Sequence, residues 1–480
     1  MNLAMVFYTL GKVVLFEGAL MTLPLLVSGL YGEAASVQAF LVSILGCMAV
    51  GGLCVWKKPA NQVFYIKEGF VITALSWIFI SVLGALPFLL SGAITNPIEA
   101  LFETVSGFTT TGASILTDVE VLPKGILFWR SFTHWVGGMG VLMFVLMLNA
   151  SSGGSAANLM KAESPGPQVE KLVPKLQVTA KILYGIYIVF TLLEVLLLLL
   201  GGMSWFDATT TAFGTAGTGG FGIKNNSIGG YSPYLQWVVA IFMILFGVNF
   251  SFYFLLLQKK CRRAVLMEEV RWYFIFIVIA VAIIGLNIRD MYDGSAEILR
   301  HAVFQVGSII TTTGYATTDF NLWPELSKTV LVILMFIGAC AGSTGGGMKV
   351  SRVTVLFKTV RKEIRQFLHP TGVVKVKVDG KTILHETVRA INVFFVAYIL
   401  IMAISVLIIS LDNYSPTTNF TAVVSALNNI GPGLDMVGPT GNFSGFSGLS
   451  KLVLIFDMLA GRLEIFPLLL LAQRETWRKF

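Results

Sequence analysis

The sequence predicts an all-α integral membrane protein of about ten transmembrane helices, built as four pseudo-symmetric helix–loop–helix repeats with a two-helix hairpin in front. Three observations carry this. Of 480 residues, 55% are hydrophobic and 12% charged, with a mean hydropathy of +0.79, whereas a soluble domain carries about 25% charged residues. The apolar residues fall into runs near the length that crosses a bilayer core. The third is 48 glycines, many clustered where they would break helices. Non-helical backbone at membrane depth persists only when buried in protein or lining a watery cavity. A soluble enzyme is excluded, and the glycines point to a pore.

Taken in order, spanning stretches lie at roughly 5–30, 36–56, 69–91, 126–150, 178–201, 233–258, 271–288, 326–348, 387–411 and 449–472. The opening MNLAMVFYTLGKVVLF lacks a basic leader and a small-residue cleavage site, so it reads as retained helix. Alternate connections collect the basic residues: Lys57, Lys58 and Lys67; Lys161, Lys171, Lys175 and Lys181; Lys259 to Arg271; Lys349 to Arg389; and Arg474, Arg478 and Lys479. About 25 of the 34 basic residues thus share one face, which the positive-inside rule makes cytoplasmic. An even number of spans puts both termini there. The net charge of +8 therefore mostly orients helices among membrane lipid. Nucleic acid is not an expected partner, because the charges are dispersed at helix ends without interleaved aromatics. The four cysteines, Cys47, Cys54, Cys261 and Cys340, are too scattered for a disulfide framework or a zinc site; Cys47 and Cys54, seven residues apart on one helix face, read as packing.

The opposite connections carry acidic residues, among them Glu99, Glu103, Asp118 and Glu120, and each holds an apolar stretch of about 12 residues, too short to span. They read as re-entrant half-helices running into ALFETVSGFTTTGAS (100–114), DATTTAFGTAGTGGFG (207–222), HAVFQVGSIITTTGYAT (301–317) and TAVVSALNNIGPGL (421–434). With Gly112, Gly219, Gly314 and Gly431 taken as equivalent, the spacings are 107, 95 and 117 residues, and helix, re-entrant loop, helix is written four times. The predicted organisation is a hairpin over 1–57 and repeats over 58–160, 161–265, 266–370 and 371–480.

This pattern suits a dehydrated monovalent cation. Its lost water must be replaced by rings of oxygens, which backbone carbonyls supply without the fixed charge that would bind too tightly. Glycine reaches the required dihedrals at little steric cost, and the half-helix C-termini direct partial negative charge at the centre. Acidic residues at the outer mouth would concentrate cations.

TTTGAS, AGTGGFG, TTTGYAT and NNIGPG, with the inner GSTGGGMK (342–349) and AGRLEIF (460–466), resemble the Trk/Ktr/HKT superfamily of potassium transporters. The resemblance covers the whole chain, and the extra hairpin is similar to the bacterial Trk branch. It implies potassium uptake across the bacterial inner membrane by a homodimer with one pore per protomer, controlled by a ring of cytosolic nucleotide-binding regulatory subunits. Potassium is then the transported ligand, and no nucleotide site is expected on this chain. Carried over by motif, the filter is Thr110, Thr111 and Gly112; Gly217, Thr218 and Gly219; Thr312, Thr313 and Gly314; and Asn429, Ile430 and Gly431. Glycine rather than serine at 112 implies potassium over sodium. The fourth loop departs from the Thr-Gly pattern, so some sodium leakage is expected.

The eighth span is interrupted by GACAGSTGGGMK (338–349), too glycine-rich for a regular helix. A phosphate loop is discounted, since Met348 stands where that motif needs lysine and no nucleotide fold surrounds it. A packing kink and an intramembrane gate remain; the resemblance favours a gate made of Gly342, Ser343, Thr344, Gly345, Gly346, Gly347 and Lys349. Arg462 sits inside the last span, where a charge needs a partner or water. On a continuous helix Glu464 is roughly 200° away and Asp457 roughly 140° off, so the partner must come from elsewhere: the carbonyls of 340–346 beneath the filter, or a structural ion pair with another helix. Glu464 itself would hold a neighbouring helix end or the dimer partner. His134, His301, His369 and His385 lack metal-ligand spacing. The alternative overall reading is the channel-like subunit of a potassium-pumping P-type ATPase, which shares the four-repeat plan. A membrane enzyme is disfavoured because no acid, base and nucleophile converge. Passive conduction and ion-coupled symport leave no distinguishing motif.

Overall fold

In the computed structural model, Asn2 starts the first helix, its side chain accepting the Met5 N–H at 3.2 Å. Leu3–Leu20 kinks at Met21 and continues as Thr22–Leu30, forming one span, and Ala34–Val55 returns beside it. Small residues make this contact. A Cβ on Gly18 would stand 2.9 Å from Cys47 Cβ, and one on Gly51 would stand 2.9 Å from the Gly11 carbonyl oxygen. Such close approach compensates for the missing hydrophobic drive between helices in lipid. The packing role expected of Cys47 and Cys54 is what is found, and all four cysteines are free thiols.

The structure describes residues 1–61, 65–140, 176–372 and 374–478. The end of the 126–150 stretch, the connection bearing Lys161, Lys171 and Lys175, and Lys479 fall outside them.

Behind the hairpin come four units. Each has an opening helix, a short helix ending in one of the Thr/Gly or Asn/Gly loops, and a closing helix. The opening helices are Ile66–Gly84 with Leu86–Leu90, Leu176–Leu200, Glu268–Asn287 and His385–Ile409. The first is 61% buried over its apolar window against 22–28% for the others, because the hairpin covers it. The short helices are Pro97–Phe108, Trp205–Ala216, Ser295–Ile310 and Pro416–Asn428. Asn96, Ser204 and Ser415 cap three of them through side-chain oxygens.

Of the closing helices, the third is interrupted over 338–349 as expected, whereas the breaks in the second and fourth, expected to be uninterrupted, are new. Lys124–Gly138 reaches the edge of the described region. Pro233–Phe246 turns by 89° into Phe250–Leu257. Glu325–Ile337 stops at Gly338, and a loop leads to Val350–Leu368. Gly448–Arg462 breaks at Leu463–Ile465 before Phe466–Ala472. Each of the ten predicted segments contains helix, but only six helices among the described residues are long and apolar enough to cross alone, or seven with the bent pair. The strand content described is one small hairpin, Lys377–Val378 paired antiparallel with Lys381–Thr382.

Candidate ion pathway

The four short helices end in the same turn. One residue takes φ near +55°: Thr110 (56°), Thr218 (54°), Thr312 (56°) and Asn429 (55°). The next amide donates five residues back, Thr111 to Ser106 O (2.9 Å), Gly219 to Gly214 O (2.9 Å), Thr313 to Ser308 O (2.8 Å) and Ile430 to Ser425 O (3.0 Å). A glycine of positive φ follows: Gly112, Gly220, Gly314 and Gly431. Asparagine visits this region readily, whereas threonine pays about 1–2 kcal/mol. Threonine is held there by its surroundings. Thr312 Oγ1 accepts the Gly346 N–H at 2.6 Å, and Thr218 Oγ1 donates to Gly217 O at 2.6 Å.

The four turns close into a ring. A Cβ on Gly112 would collide with the carbonyl oxygen of Gly219, one on Gly220 with that of Thr313, one on Gly314 with that of Ile430, and one on Gly431 would lie 2.8 Å from that of Thr111. Each glycine therefore lets the next loop's carbonyl approach, and the fourth returns to the first. This corrects the sequence register in the second unit. Thr218, Gly219 and Gly220 match the other three segments, and Gly217 only caps the short helix. AGTGGFG offers three glycines, and composition could not choose among them; only Gly220 combines positive φ with the facing carbonyl. The other predicted loop residues all fall in the ring.

Side chains lock it from behind. Thr109 and Thr111 hydroxyls meet at 2.8 Å, as do those of Thr311 and Thr313. Asn429 Nδ2 donates to Thr111 Oγ1 (2.9 Å) and Met458 O (2.8 Å). Ser425 Oγ donates to Gly431 O at 2.6 Å. Glu103, expected at the outer mouth, is instead buried. It pairs with Arg130 Nε at 2.6 Å and accepts from Ser114 Oγ and Ile115 N–H at 3.0 Å each. Arg130 also donates to Gly222 O at 2.8 Å and lies 3.6 Å from the Phe221 ring centroid, joining the first two loops. An arginine inside an apolar helix was the signal for this pair. On the outer surface Asn225 donates to Asp118 at 2.8 Å and holds its carboxyl below the usual carboxylate range.

Beneath the ring lies the glycine-rich loop. Gly338, Gly342, Gly347 and Lys349 all have positive φ. Its upper part touches the ring: besides the Gly346–Thr312 bond, Gly347 N–H donates to Asn428 O at 3.0 Å, and a Cβ on Gly345 would lie 2.8 Å from Thr311 O. Its lower part rests on the bend in the second closing helix, with Cys340 N–H on Gly247 O and Phe250 N–H on Gly342 O, both 3.0 Å. Ser343 Oγ closes on Cys340 O at 2.6 Å, and Lys349 Nζ bonds Gly345 O. Arg462 Nη1 donates to Thr344 O at 3.1 Å, and Nη2 to Gly138 O at 2.9 Å and to Gly137 O. Of the two partners considered for Arg462, loop carbonyls are what the structure shows; Gly137 and Gly138, freed at the end of a helix, were not anticipated. The predicted helical geometry around Arg462 fails because the helix ends there. Glu464 (φ 54°) and Ile465 (φ 70°) leave it, and Glu464 pairs with Arg352 in the first turn of Val350–Leu368, a neighbouring helix end.

The family model described as "TrkH: Cation transport protein" matches residues 36–478. The chain belongs to the TrkH family. Among relatives, it is 36% identical to the Trk system potassium uptake protein TrkH of Salmonella typhimurium over 97% of both chains. It is 32% identical to the Trk system potassium uptake protein TrkG of Escherichia coli over 96% of both. The crystal structure of the potassium transporter TrkH from Vibrio parahaemolyticus superposes with a TM-score of 0.88 over the whole of both chains, at 32% identity. This TrkH-family chain is therefore a multi-helix membrane transporter, not an enzyme. Below its ring a cavity of about 1100 Å³ runs from Asn429, Arg462 and Gly345 to the basic segment 259–263 and the hairpin at 378–382. His134 stacks on Phe221 at 4.2 Å, and His301 Nδ1 bonds Thr317 Oγ1 at 2.9 Å.

Proposed function

We propose that this chain takes up potassium across the bacterial inner membrane. The carbonyls of Thr110–Gly112, Thr218–Gly220, Thr312–Gly314 and Asn429–Gly431 serve as its selectivity filter, within the four repeats. The closed ring of glycines against neighbouring carbonyls carries this reading. Its geometry sets four loops around one axis with no room for a side chain between them, and oxygen rings of that kind replace a cation's hydration shell. The short helices point their C-terminal ends at that axis, adding favourable potential for a cation. The relatives' names as potassium uptake proteins support the same ion.

The loop of 338–349 is the gate. It fills the space under the third and fourth filter segments, and Arg462 stands there with its guanidinium on Thr344 O and 3.5 Å from Thr110 Oγ1. A positive charge directly below the filter opposes a cation, and movement of the loop would open the cavity beneath to it. The basic face is cytoplasmic, with both termini, and a homodimer engaged by a cytosolic nucleotide-binding ring is the working assembly. The long basic connections offer that ring a surface.

The test is tracer flux into liposomes holding the purified full-length protein. Rubidium or potassium uptake that sodium cannot replace supports the filter; equal sodium and potassium flux overturns it. Repeating the assay under an imposed proton gradient separates a channel, which follows the potassium gradient alone, from a symporter.

A further inference from the structure

The opening helix of the third unit, Glu268–Asn287, begins with two carboxylates that face different neighbours. Glu269 Oε1 accepts the Ala341 N–H at 2.6 Å and the Ser351 N–H at 3.1 Å. Those amides flank the core of the glycine-rich loop, one at its entry and one just past its exit. Glu269 also lies close to the side chain of Asn249, at the bend of the second closing helix on which the loop rests. One carboxylate thus ties both ends of the loop to its seat.

Glu268 faces outward. Its backbone N–H donates to Asp379 Oδ1 at 2.7 Å, and its own carboxylate accepts the Asp379 N–H at 3.3 Å. Asp379 occupies the turn of the hairpin 377–382, so the hairpin caps the end of this helix from outside. Lys358, on the helix that leaves the loop, pairs with Glu268 and donates to Lys377 O at 2.6 Å. The hairpin, the exit helix and the loop therefore converge on two adjacent residues. The hairpin also borders the mouth of the cavity.

We propose that Glu268 and Glu269 are the positioning residues that couple the hairpin 377–382 to the intramembrane loop. Glu269 clasps the loop shut under the filter, and Glu268 holds the hairpin and the exit helix on the same helix end. Displacing Asp379 uncaps that end and loosens the clasp beside it. This rests on the reading of 338–349 as a gate.

The experiment is activator-free rubidium flux in liposomes of the full-length protein, comparing E269A, E269Q, D379A, R462Q and the E269A/R462Q pair. Loss of two charge-assisted bonds in E269A is expected to raise flux about tenfold, with E269Q smaller and D379A roughly two- to threefold. Because clasp and arginine act on one loop, the double variant should exceed R462Q alone by far less than the factor that E269A produces by itself, a non-additivity that general destabilisation does not give. If R462Q raises flux while E269A, E269Q and D379A stay at or below the wild-type level, the coupling is wrong and the gate stands. If R462Q leaves flux unchanged, the gate reading falls, and the coupling with it. Should E269A not fold, E269Q and the exposed hairpin variant D379A decide the matter by the same criteria.

Discussion

Gly185 and Gly247 lie in the two long helices of the same unit. Around Gly185, in the opening helix Leu176–Leu200, a Cβ would meet nothing within 4 Å. At Gly247, where the closing helix bends, it would lie 2.5 Å from the Tyr273 hydroxyl and 2.7 Å from Thr311 Cγ2, and the Gly247 carbonyl receives the loop through Cys340. The same contrast runs through the molecule. The last three opening helices are unbroken spans with much of their surface outward. The closing helices run behind the ring, and those described past that level break, at 247–249, 338–349 and 463–465. What differs is how closely a neighbour has to approach: Gly185 and Gly285 in the opening helices have room for a Cβ, though Gly84, against Phe108 and Thr104, does not, whereas Gly137, Gly138, Gly247 and Gly461 along the closing helices are all crowded.

The largest effect should come from a charge in a closing helix. Arg130→Met leaves Glu103 buried without its partner, which costs about 3–5 kcal/mol, read as a lower melting temperature of the purified protein. Arg130→Met with Glu103→Gln should recover part of the loss, since no buried charge is then stranded. If the single variant melts like the wild type, the closing helices do not depend on their buried polar contacts.

Next is the ring itself. Gly112→Ala combines positive φ with a collision against Gly219 O, and neither loop can move without disturbing its neighbour. Flux should fall at least about a hundredfold, a barrier increase of about 2.7 kcal/mol, or survive with its ion preference lost. An alanine variant with normal rate and selectivity would remove Gly112 from the filter.

How much of this was readable beforehand follows the same division. The opening helices and the lengths of the short helices were legible because hydropathy and capping act locally: Asn96 and Ser415, each followed by proline, mark helix starts. The register of the second loop was not, because Gly217, Gly219 and Gly220 are chemically identical and only the Thr313 carbonyl, nearly a hundred residues away in sequence, selects among them. The surroundings of Arg462 were half legible. A charge at that depth required partners, and the freed carbonyls of the interrupted segment were a sound candidate. Placing Glu464 by regular helix geometry failed because the helix ends at the arginine itself, and no proline or glycine at 463–465 announces it.

Gly247→Ala tests the bend at smaller scale. The Tyr273 hydroxyl, which donates to Ile244 O at 3.0 Å, would have to give way, and overpacking of this kind costs about 1–3 kcal/mol. The melting temperature should drop modestly, and activator-free flux should rise because the loop's seat is displaced. A fall in stability with unchanged flux would mean that the bend supports the fold but not the loop.

Gly185→Ala should do least, and it makes the comparison sharp. A methyl there has open space, and alanine is the better helix former by about 0.8–1.0 kcal/mol in water. The gain should be no greater than that in lipid, where the helix is already favoured by its need to satisfy every backbone group internally. The expected result is a melting temperature equal to or slightly above wild type, with unaltered flux and ion preference. A clear loss would show that the opening helix also depends on a close approach at this point, such as a contact between two copies of the chain across its exposed face. The division between helices that tolerate side chains and helices that cannot would then have to be drawn by assembly rather than by unit.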